Sequence, residues 1–570
     1  MPFMRSDDSL QSTRRRVLAA MGSAGVIGAA GCVDDPEETD DDDGTENGNG
    51  DEPAAAEFVA SSAANPGTFD PTVIADATSA STVGTLAYEY LVEPTFDLEE
   101  FRGELAADWE EVDDTTIRFQ LREGVQFHTG DEMDAEDVAF SIERTRGTTN
   151  DAAVSWISET EVIGDYEIEL RSEEPRAPYL SDLTEVPILP RNHDGISENP
   201  QEDDHPFDEE TIGTGPFVLE EFAPEDRVVL VPFEDYWYDG DDYPDTAPWD
   251  RVTFRIIPEQ VSQEEAMAAG ELDMIDNPAP FELDQWDDQN GDVISGAAVG
   301  FDFVTFPVRE PPYDSQKLRR GMTRLLPKSD VVEAVFAGNA TELGGPISPG
   351  LGAYWDEAHE QRLMDEYVGE NREEGLQLIE EAFEEEDIEA PFELEFITNV
   401  NRTRERWMEI IAQTFDETEF FDAELDVRAF DDLVPFLLDP EGAAESTDVV
   451  GIGWTGGFDP NGHTQELLSS EAHVPDGFNW NLYSNDEVDD LLAEGQTTLD
   501  VDERREIYHD LQEVLAEDVP FASMWTGDQI DVLSPDALES LDQWQPHPNS
   551  SFRYCSLYKP HLDQVASPPQ

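Results

Sequence analysis

The chain has 570 residues, enough for more than one compact lobe, and its 38% hydrophobic and 10% aromatic content is enough for a real core, which excludes wholesale disorder. Asp and Glu number 134 against 31 Lys and Arg, a formal charge of −103, so there is no basic stripe to neutralise phosphates and nucleic acid is excluded as a partner. The cysteines are Cys32 and Cys555; with Cys32 used as read below, no disulfide forms within the chain, and stability rests on packing and ions.

The N-terminus reads as an address. Thr13-Arg14-Arg15-Arg16-Val17-Leu18 is a basic n-region, Val17 to Ala30 is uncharged, and small residues precede Gly31-Cys32. The apolar part is too short and too rich in Gly and Ala for a stable membrane span. The paired arginines followed by Val-Leu resemble a twin-arginine export signal. Ala29-Ala30-Gly31-Cys32 resembles a lipobox, which implies cleavage before Cys32 and a diacylglycerol on its sulfur. Residues 1–31 are thus expected to be the signal, and 32–56 the lipidated cysteine and its tether. Val33 to Ala56 is rich in Asp, Glu, Gly and Asn, with no apolar period. Stretched, it reaches up to about 80 Å at roughly 3.4 Å per residue. No later apolar run is long enough to span a bilayer. The expected location is the outer face of the cell membrane, with the lipid as the only anchor.

Beyond the tether the acids are interleaved with Phe, Trp, Val and Ile. Lysine occurs only at Lys317, Lys328 and Lys559. Self-repulsion on this scale strains a compact state in dilute buffer, while molar salt cuts the Debye length to about 3 Å. Such a lysine-poor acidic surface resembles those of halophilic archaea. Strand-like alternation runs through Ile117/Phe119/Leu121, Val252/Phe254/Ile256 and Phe392/Leu394/Phe396. Helical spacing runs through Trp407/Ile410/Ile411/Thr414/Phe415 and Ile507/Leu511/Val514/Leu515. Asp134, with Asp137 three residues on, reads as the N-cap of a helix carrying Val138 and Ile142. Strands and helices are mixed without strict βαβ alternation, an α/β class.

Ala107/Trp109, Leu121-Arg122-Glu123-Gly124, Phe127-His128-Thr129-Gly130 and Ala135-Glu136-Asp137-Val138 follow one another in order. This block closely resembles that of solute-binding protein family 5, the dipeptide-, oligopeptide- and nickel-binding proteins of ABC importers. Further matches run along nearly the whole mature chain: Phe69-Asp70-Pro71, Gly213-Thr214-Gly215-Pro216-Phe217, Asp235-Tyr236-Trp237, Gly270-Glu271-Leu272-Asp273 and Pro311-Pro312-Tyr313-Asp314. The resemblance implies a two-lobed periplasmic-binding-protein-like fold of the class II type, with the ligand cleft between lobes that close on it. One lobe is expected over 57–299, with 536–570 returning to it, and the other over 300–535. His128 is expected to be a hydrogen-bonded structural residue.

Asp448 to Pro460 resembles the family's ligand-facing segment, a strand followed by Trp-x-x-Asp and then Asp-Pro. The expected ligand-binding residues are Trp454, Thr455, Gly456, Gly457 and Asp459. Asn479, Trp480 and Tyr483 join them as an amide and aromatic wall, against a packed loop as the equal alternative. Asp76 and Thr78 lie in a loop placed by sequence position alone. Where peptide-binding members carry an aspartate for the peptide's ammonium, this chain has Gly457, or Gly456 if counted back from Asp459-Pro460. That lowers the weight of a free peptide, since a buried ammonium without a partner costs several kcal/mol. Gly451-x-Gly453-x-x-Gly456 matches a dinucleotide fingerprint, but no helix is expected to open at Gly457–Pro460 to receive a phosphate.

The motifs of hydrolases and metal enzymes are missing: Gly-x-Lys, His-Glu-x-x-His and Gly-x-Ser-x-Gly. The expectation is a monomeric binding protein, not an enzyme, with no cofactor and no metal. It would capture a small polar solute, peptide-like or other, for an ABC permease. A sensor receptor built on the same lobes is the alternative, and an exported hydrolase a weaker one.

Overall fold

Ile117, Phe119 and Leu121 share one face of the strand Thr116–Leu121, and all three are buried, as a period of two demands. The computed structural model describes residues 56–557 except 75–76, 96–97, 99, 149, 204–206, 208–209, 239–248, 277, 287–290, 446–447 and 476. The export signal, Cys32, the acidic tether before Ala56 and Asp76 therefore lie outside the described residues.

Thr116–Leu121 belongs to a four-stranded antiparallel sheet with Ala106–Asp113, Glu167–Ser172 and Ile157–Gly164. The helix Ala135–Thr145 buries Val138 and Ile142 in the same core. It opens on the expected cap: Asp134 accepts from the Glu136 N–H at 2.8 Å, and Asp137 accepts from the Asp134 N–H at 2.9 Å. His128 sits between the carbonyls of Thr211 and Gly215 at 3.2 and 2.9 Å, and burial pushes its imidazole pKa down. It ties this sheet to the Gly213–Phe217 turn.

Two larger mixed sheets carry the rest. The first has seven strands, in the order Asp292–Gly296, Gln529–Leu533, Met274–Asp276, Glu57–Ser62, Arg251–Ile256, Arg227–Pro232 and Phe217–Ala223. Glu57–Ser62 runs parallel to both neighbours, and the other pairings are antiparallel. The second has six strands, in the order Ala340–Glu342, Phe521–Gly527, Phe301–Thr305, Val449–Trp454, Phe392–Asn399 and Phe421–Arg428. Here Phe392–Asn399 is the strand with parallel neighbours. The expected alternations at Val252/Phe254/Ile256 and Leu394/Phe396 are buried faces of these sheets.

The helix Arg402–Asp416 buries Trp407, Met408, Ile411 and Phe415 against the second sheet. In Val501–Asp518 the buried stripe is Arg504, Tyr508, Leu511 and Leu515, while Ile507 and Val514 are only half-buried. The stripe is rotated from the expected one because Arg504 goes inward to an acid, as described below.

The chain passes from the first sheet to the second through residues 297–300 and returns at Asp528. The return strand, Gln529–Leu533, pairs with Asp292–Gly296 and Met274–Asp276. The chain is thus a strand of the first sheet before the expected boundary at 535, and Ile530, Asp531, Val532 and Leu533 are all buried. The C-terminal segment packs on the same sheet. Trp544 stacks on Phe58 at 5.7 Å, and Tyr554 meets Phe254 edge-on at 4.8 Å.

Candidate binding cleft

The strand Val449–Trp454 delivers the predicted segment to the place where the chain crosses between sheets. A cavity of about 800 Å³ opens there. Its walls come from the first sheet's side (Gln260, Pro278–Pro280 and Pro548–Ser550), from both crossings, and from the second sheet's side. Trp454 and Thr455 line it. Trp454 is half-buried; its Nε1 donates to the Gly462 carbonyl at 2.8 Å, and Phe478 meets its ring edge-on at 5.1 Å. The indole is thus held from behind while still bordering the cavity. Phe430, 55% exposed, adds a second aromatic surface to the lining.

Gly456, Gly457 and Asp459 are not in the lining. Gly456 packs face to face with Gly462; a Cβ on it would lie 2.2 Å from the Gly462 carbonyl oxygen. The contact lets the chain double back, and a helix then opens at Pro460–Leu468. This corrects the expectation that none opens here. Asp459 is its N-cap, accepting from the Asn461 N–H at 2.8 Å, and Pro460 takes the first turn, where no N–H is needed. Asp459 also receives Arg504 on both oxygens, at 2.5 and 2.7 Å. The helix N-terminus already holds a carboxylate, so the glycine pattern frames no open anion site. His463, beneath it, faces the Gly457 carbonyl at 3.2 Å, and burial pushes its imidazole down to about 4.

Asn479, Trp480 and Tyr483 come together in a buried loop, and none of them lines the cavity. Asn479 donates to the Ser469 and Tyr483 carbonyls at 2.9 and 3.0 Å. Trp480 stacks on Phe303 and donates to Thr305 Oγ1 at 3.3 Å. The Tyr483 hydroxyl donates to Asp518 at 2.7 Å. Thr78 is half-buried, and its carbonyl accepts from the hydroxyls of Ser81 and Thr82.

Sequence reasoning missed the charged wall. Arg404 donates to Asn399 Oδ1 at 2.6 Å and to Asp302 Oδ1 at 3.1 Å, and Trp525 Nε1 holds the other Asp302 oxygen at 3.1 Å. Gly453 makes room for it; a Cβ there would lie 2.5 Å from Arg404 Nη2. The Arg404 Nε–H is buried without an acceptor. Asp528, on the returning crossing, also lines the cavity, and burial pushes its carboxyl up. At the rim, Arg402 reaches over to Glu282 at 2.8 Å and Gln260 at 2.9 Å, and the Arg406 guanidinium lies 4.4 Å over the Phe281 ring. Only the Asn401 cap before this helix was a local signal, and it marks a helix start, not a site.

Residues 100–473 match the model of the bacterial extracellular solute-binding proteins, family 5 Middle. The chain belongs to that family. This family 5 protein is 24% identical over 492 residues to Heme-binding protein A of Haemophilus influenzae, covering 81% of this chain and 86% of the relative. It is 24% identical over 501 residues to the Dipeptide-binding protein of Escherichia coli, covering 82% and 88%. The periplasmic binding protein DppA of Helicobacter pylori, solved with the peptide STSA, shares the fold with a TM-score of 0.70 at 21% identity, over 85% of this chain and 95% of that one. The family 5 fold is thus the two-lobed one that the motifs implied. Among the described residues no helix is long and apolar enough to cross a membrane.

Proposed function

We propose that this family 5 protein captures a small polar solute on the outer face of the cell membrane and delivers it to the permease of an ABC importer. The observation that carries the reading is the cavity of about 800 Å³ set at both chain crossings, walled from both sheets. Its size falls in the range of small-molecule sites, about 300–1,000 Å³. Its lining pairs aromatic surface at Trp454 and Phe430 with the fixed charges of Arg404 and Asp302, which suits a solute with both apolar and polar parts. The relatives' names point to heme and to dipeptides, chemically unlike ligands, so neither is carried over. The protein's role is binding and release, without chemistry of its own. Cys32 with the acidic segment after it supports a lipid anchor and tether, and the −103 charge supports function in high salt.

Mass spectrometry of small molecules released by denaturing the purified protein tests the reading. One or a few solutes at near-equal molar ratio, each raising the melting temperature when added back, is the expected result. A protein that carries no solute and whose melting is unmoved by any fraction of yeast extract sinks it.

A further inference from the structure

Two histidines outside the cleft lie face to face. His359, on the helix Glu357–Leu363, and His509, on the helix Val501–Asp518, stack with ring centroids 4.1 Å apart and planes 8° from parallel. His359 is buried and His509 half-buried. The Nε2 atoms of both rings are buried without a hydrogen-bond partner among the described residues. Arg362 donates to His359 Nδ1 at 3.0 Å and pairs with Glu513 on the facing helix.

This arrangement favours neutral rings. A guanidinium can only donate, so His359 Nδ1 accepts and carries no proton. A proton added there would face the guanidinium and break that contact. A charged ring would also lie against a second imidazole, with no acceptor for its buried Nε2–H. The charged groups facing the pair are Asp356 and Arg362 beside His359, and Arg505, Glu506 and Glu513 beside His509. Glu360, next in sequence, gives no counter-charge in acid, because burial pushes its own carboxyl up to about 7. Burial, then the facing ring and Arg362, push the His359 imidazole down to about 4, and burial pushes His509 down as well. Below the ordinary value of 6.5 a detached segment takes up protons that the stacked pair refuses. The packing is therefore strongest above that value and weakens as pH falls toward about 4.

The stacked helix ends a segment that reaches the cleft. Glu360 accepts from the Gly344 N–H, and Arg505 donates to the Ala353 carbonyl. Between them the Ser348 hydroxyl donates to the Ala298 and Val299 carbonyls, each at 3.0 Å. Ala298 and Val299 lie on the outgoing crossing and line the main cavity. A metal ion does not suit the pair. The lone pairs of near-parallel rings run side by side and cannot converge on one ion, and no group of three or more His, Cys, Asp or Glu among the described residues is arranged to hold one.

We infer that the His359–His509 stack is an acid-sensitive latch: neutral, it holds the segment 343–363 against the helix Val501–Asp518; protonated, it releases that segment and with it the Ser348 support of the cavity wall.

The test is hydrogen exchange read by mass spectrometry on the full-length protein in molar KCl, at pH 7 and pH 4.5, corrected for the intrinsic effect of pH on exchange. Protection of residues 343–363 should fall by about tenfold or more at the lower pH, and that of residues 296–302 should fall with it. His359→Asn keeps an acceptor for Arg362 and His509→Phe keeps a stacked ring, yet neither takes up a proton; the double variant should hold its protection at pH 4.5. His509→Lys puts a fixed charge on the stack and should loosen the segment already at pH 7. Melting curves at pH 7 establish that the variants are folded. Unchanged protection in the wild type overturns the latch, as does an equal loss in the double variant. A loss shared equally by the sheet around Thr116–Leu121 is general acid unfolding and overturns it too. A loss over 343–363 that leaves 296–302 protected overturns the connection to the cavity wall.

Discussion

The Arg504 guanidinium holds both oxygens of Asp459, at 2.5 and 2.7 Å, with both side chains buried. Asp459 was expected among the ligand-binding residues, but its two oxygens already serve Arg504 and the cap of the Pro460 helix. Breaking one side of a buried pair leaves an uncompensated charge, which costs about 3–5 kcal/mol. Asp459→Ala should therefore lower the denaturation midpoint sharply. In whatever fraction stays folded, affinity for the co-purified solute should change by less than about threefold, under 1 kcal/mol. Calorimetry alongside urea unfolding separates the two effects.

Trp454→Ala should do the opposite. The ring borders the cavity, where its apolar contact and stacking would stabilise a bound solute by about 1–3 kcal/mol. Affinity for the co-purified solute should fall roughly ten- to hundredfold, since 1.4 kcal/mol is a factor of ten. Trp454→Phe should recover part of it. A loss of melting temperature with unchanged calorimetric affinity would mark Trp454 as a packing residue only.

The rim contacts join the two sides of the cleft. Arg402 binds Glu282 and Gln260 across it, so these contacts would be lost if the two sides moved apart. Glu282→Ala and Arg402→Ala should each speed solute release by less than about twofold. Exposed pairs of this kind contribute about 0.2–1 kcal/mol, and screening by molar salt keeps them near the low end. Stopped-flow dissociation, with the double variant no faster than either single one, would show that the two residues act as a pair.

Glu360 gives a pH signature. Burial pushes its carboxyl up to about 7, against the opposing pull of the Gly344 N–H and Lys328. Between the ordinary value of 4.5 and about 7, the folded protein keeps a proton that the unfolded chain has lost. Stability from this group is therefore fully present at the acid end and falls as pH rises through that window, by about 3 kcal/mol at most. Glu360→Gln cannot ionise and should flatten that part of the stability profile. A wild-type profile that rises across the window and is unaffected by the substitution would exclude this role for Glu360.

The −103 charge predicts a steep dependence on salt. Lowering KCl from molar to about 0.1 M lengthens the Debye length from about 3 to about 10 Å and restores repulsion among the surface acids. The melting temperature should fall strongly over that range. A curve indifferent to KCl would remove the halophilic reading.

Period and motif made the frame legible. The alternation at Ile117, Phe119 and Leu121 and the cap at Asp134 are local features, and each is found where the spacing places it. The cleft was legible only where it coincides with a strand end, at Trp454 and Thr455. Arg404 and Asp302 lie far apart in sequence and meet because Phe301–Thr305 pairs with Val449–Trp454 and the Arg402 helix lies over that sheet. No window of residues contains such a pairing. The helix at Pro460 was missed for a related reason. Gly456, Gly457 and Pro460 read as breakers, whereas Gly456 serves a close backbone contact and Pro460 sits where the first helical turn tolerates it.

The two chain crossings lie side by side. Asp292–Gly296 and Gln529–Leu533 are paired neighbours in the first sheet, and their continuations, Phe301–Thr305 and Phe521–Gly527, are paired neighbours in the second. The connection is therefore a two-stranded ribbon rather than two independent threads. A ribbon flexes readily across its flat face and resists shearing within its plane, because in-plane motion would break the cross-strand hydrogen bonds on either side. A movement of one sheet against the other would thereby be confined to one swing about one axis. Under that constraint Trp454, Arg404 and the opposite wall would meet in the same relative orientation each time, leaving little orientational entropy to be lost when a solute arrives.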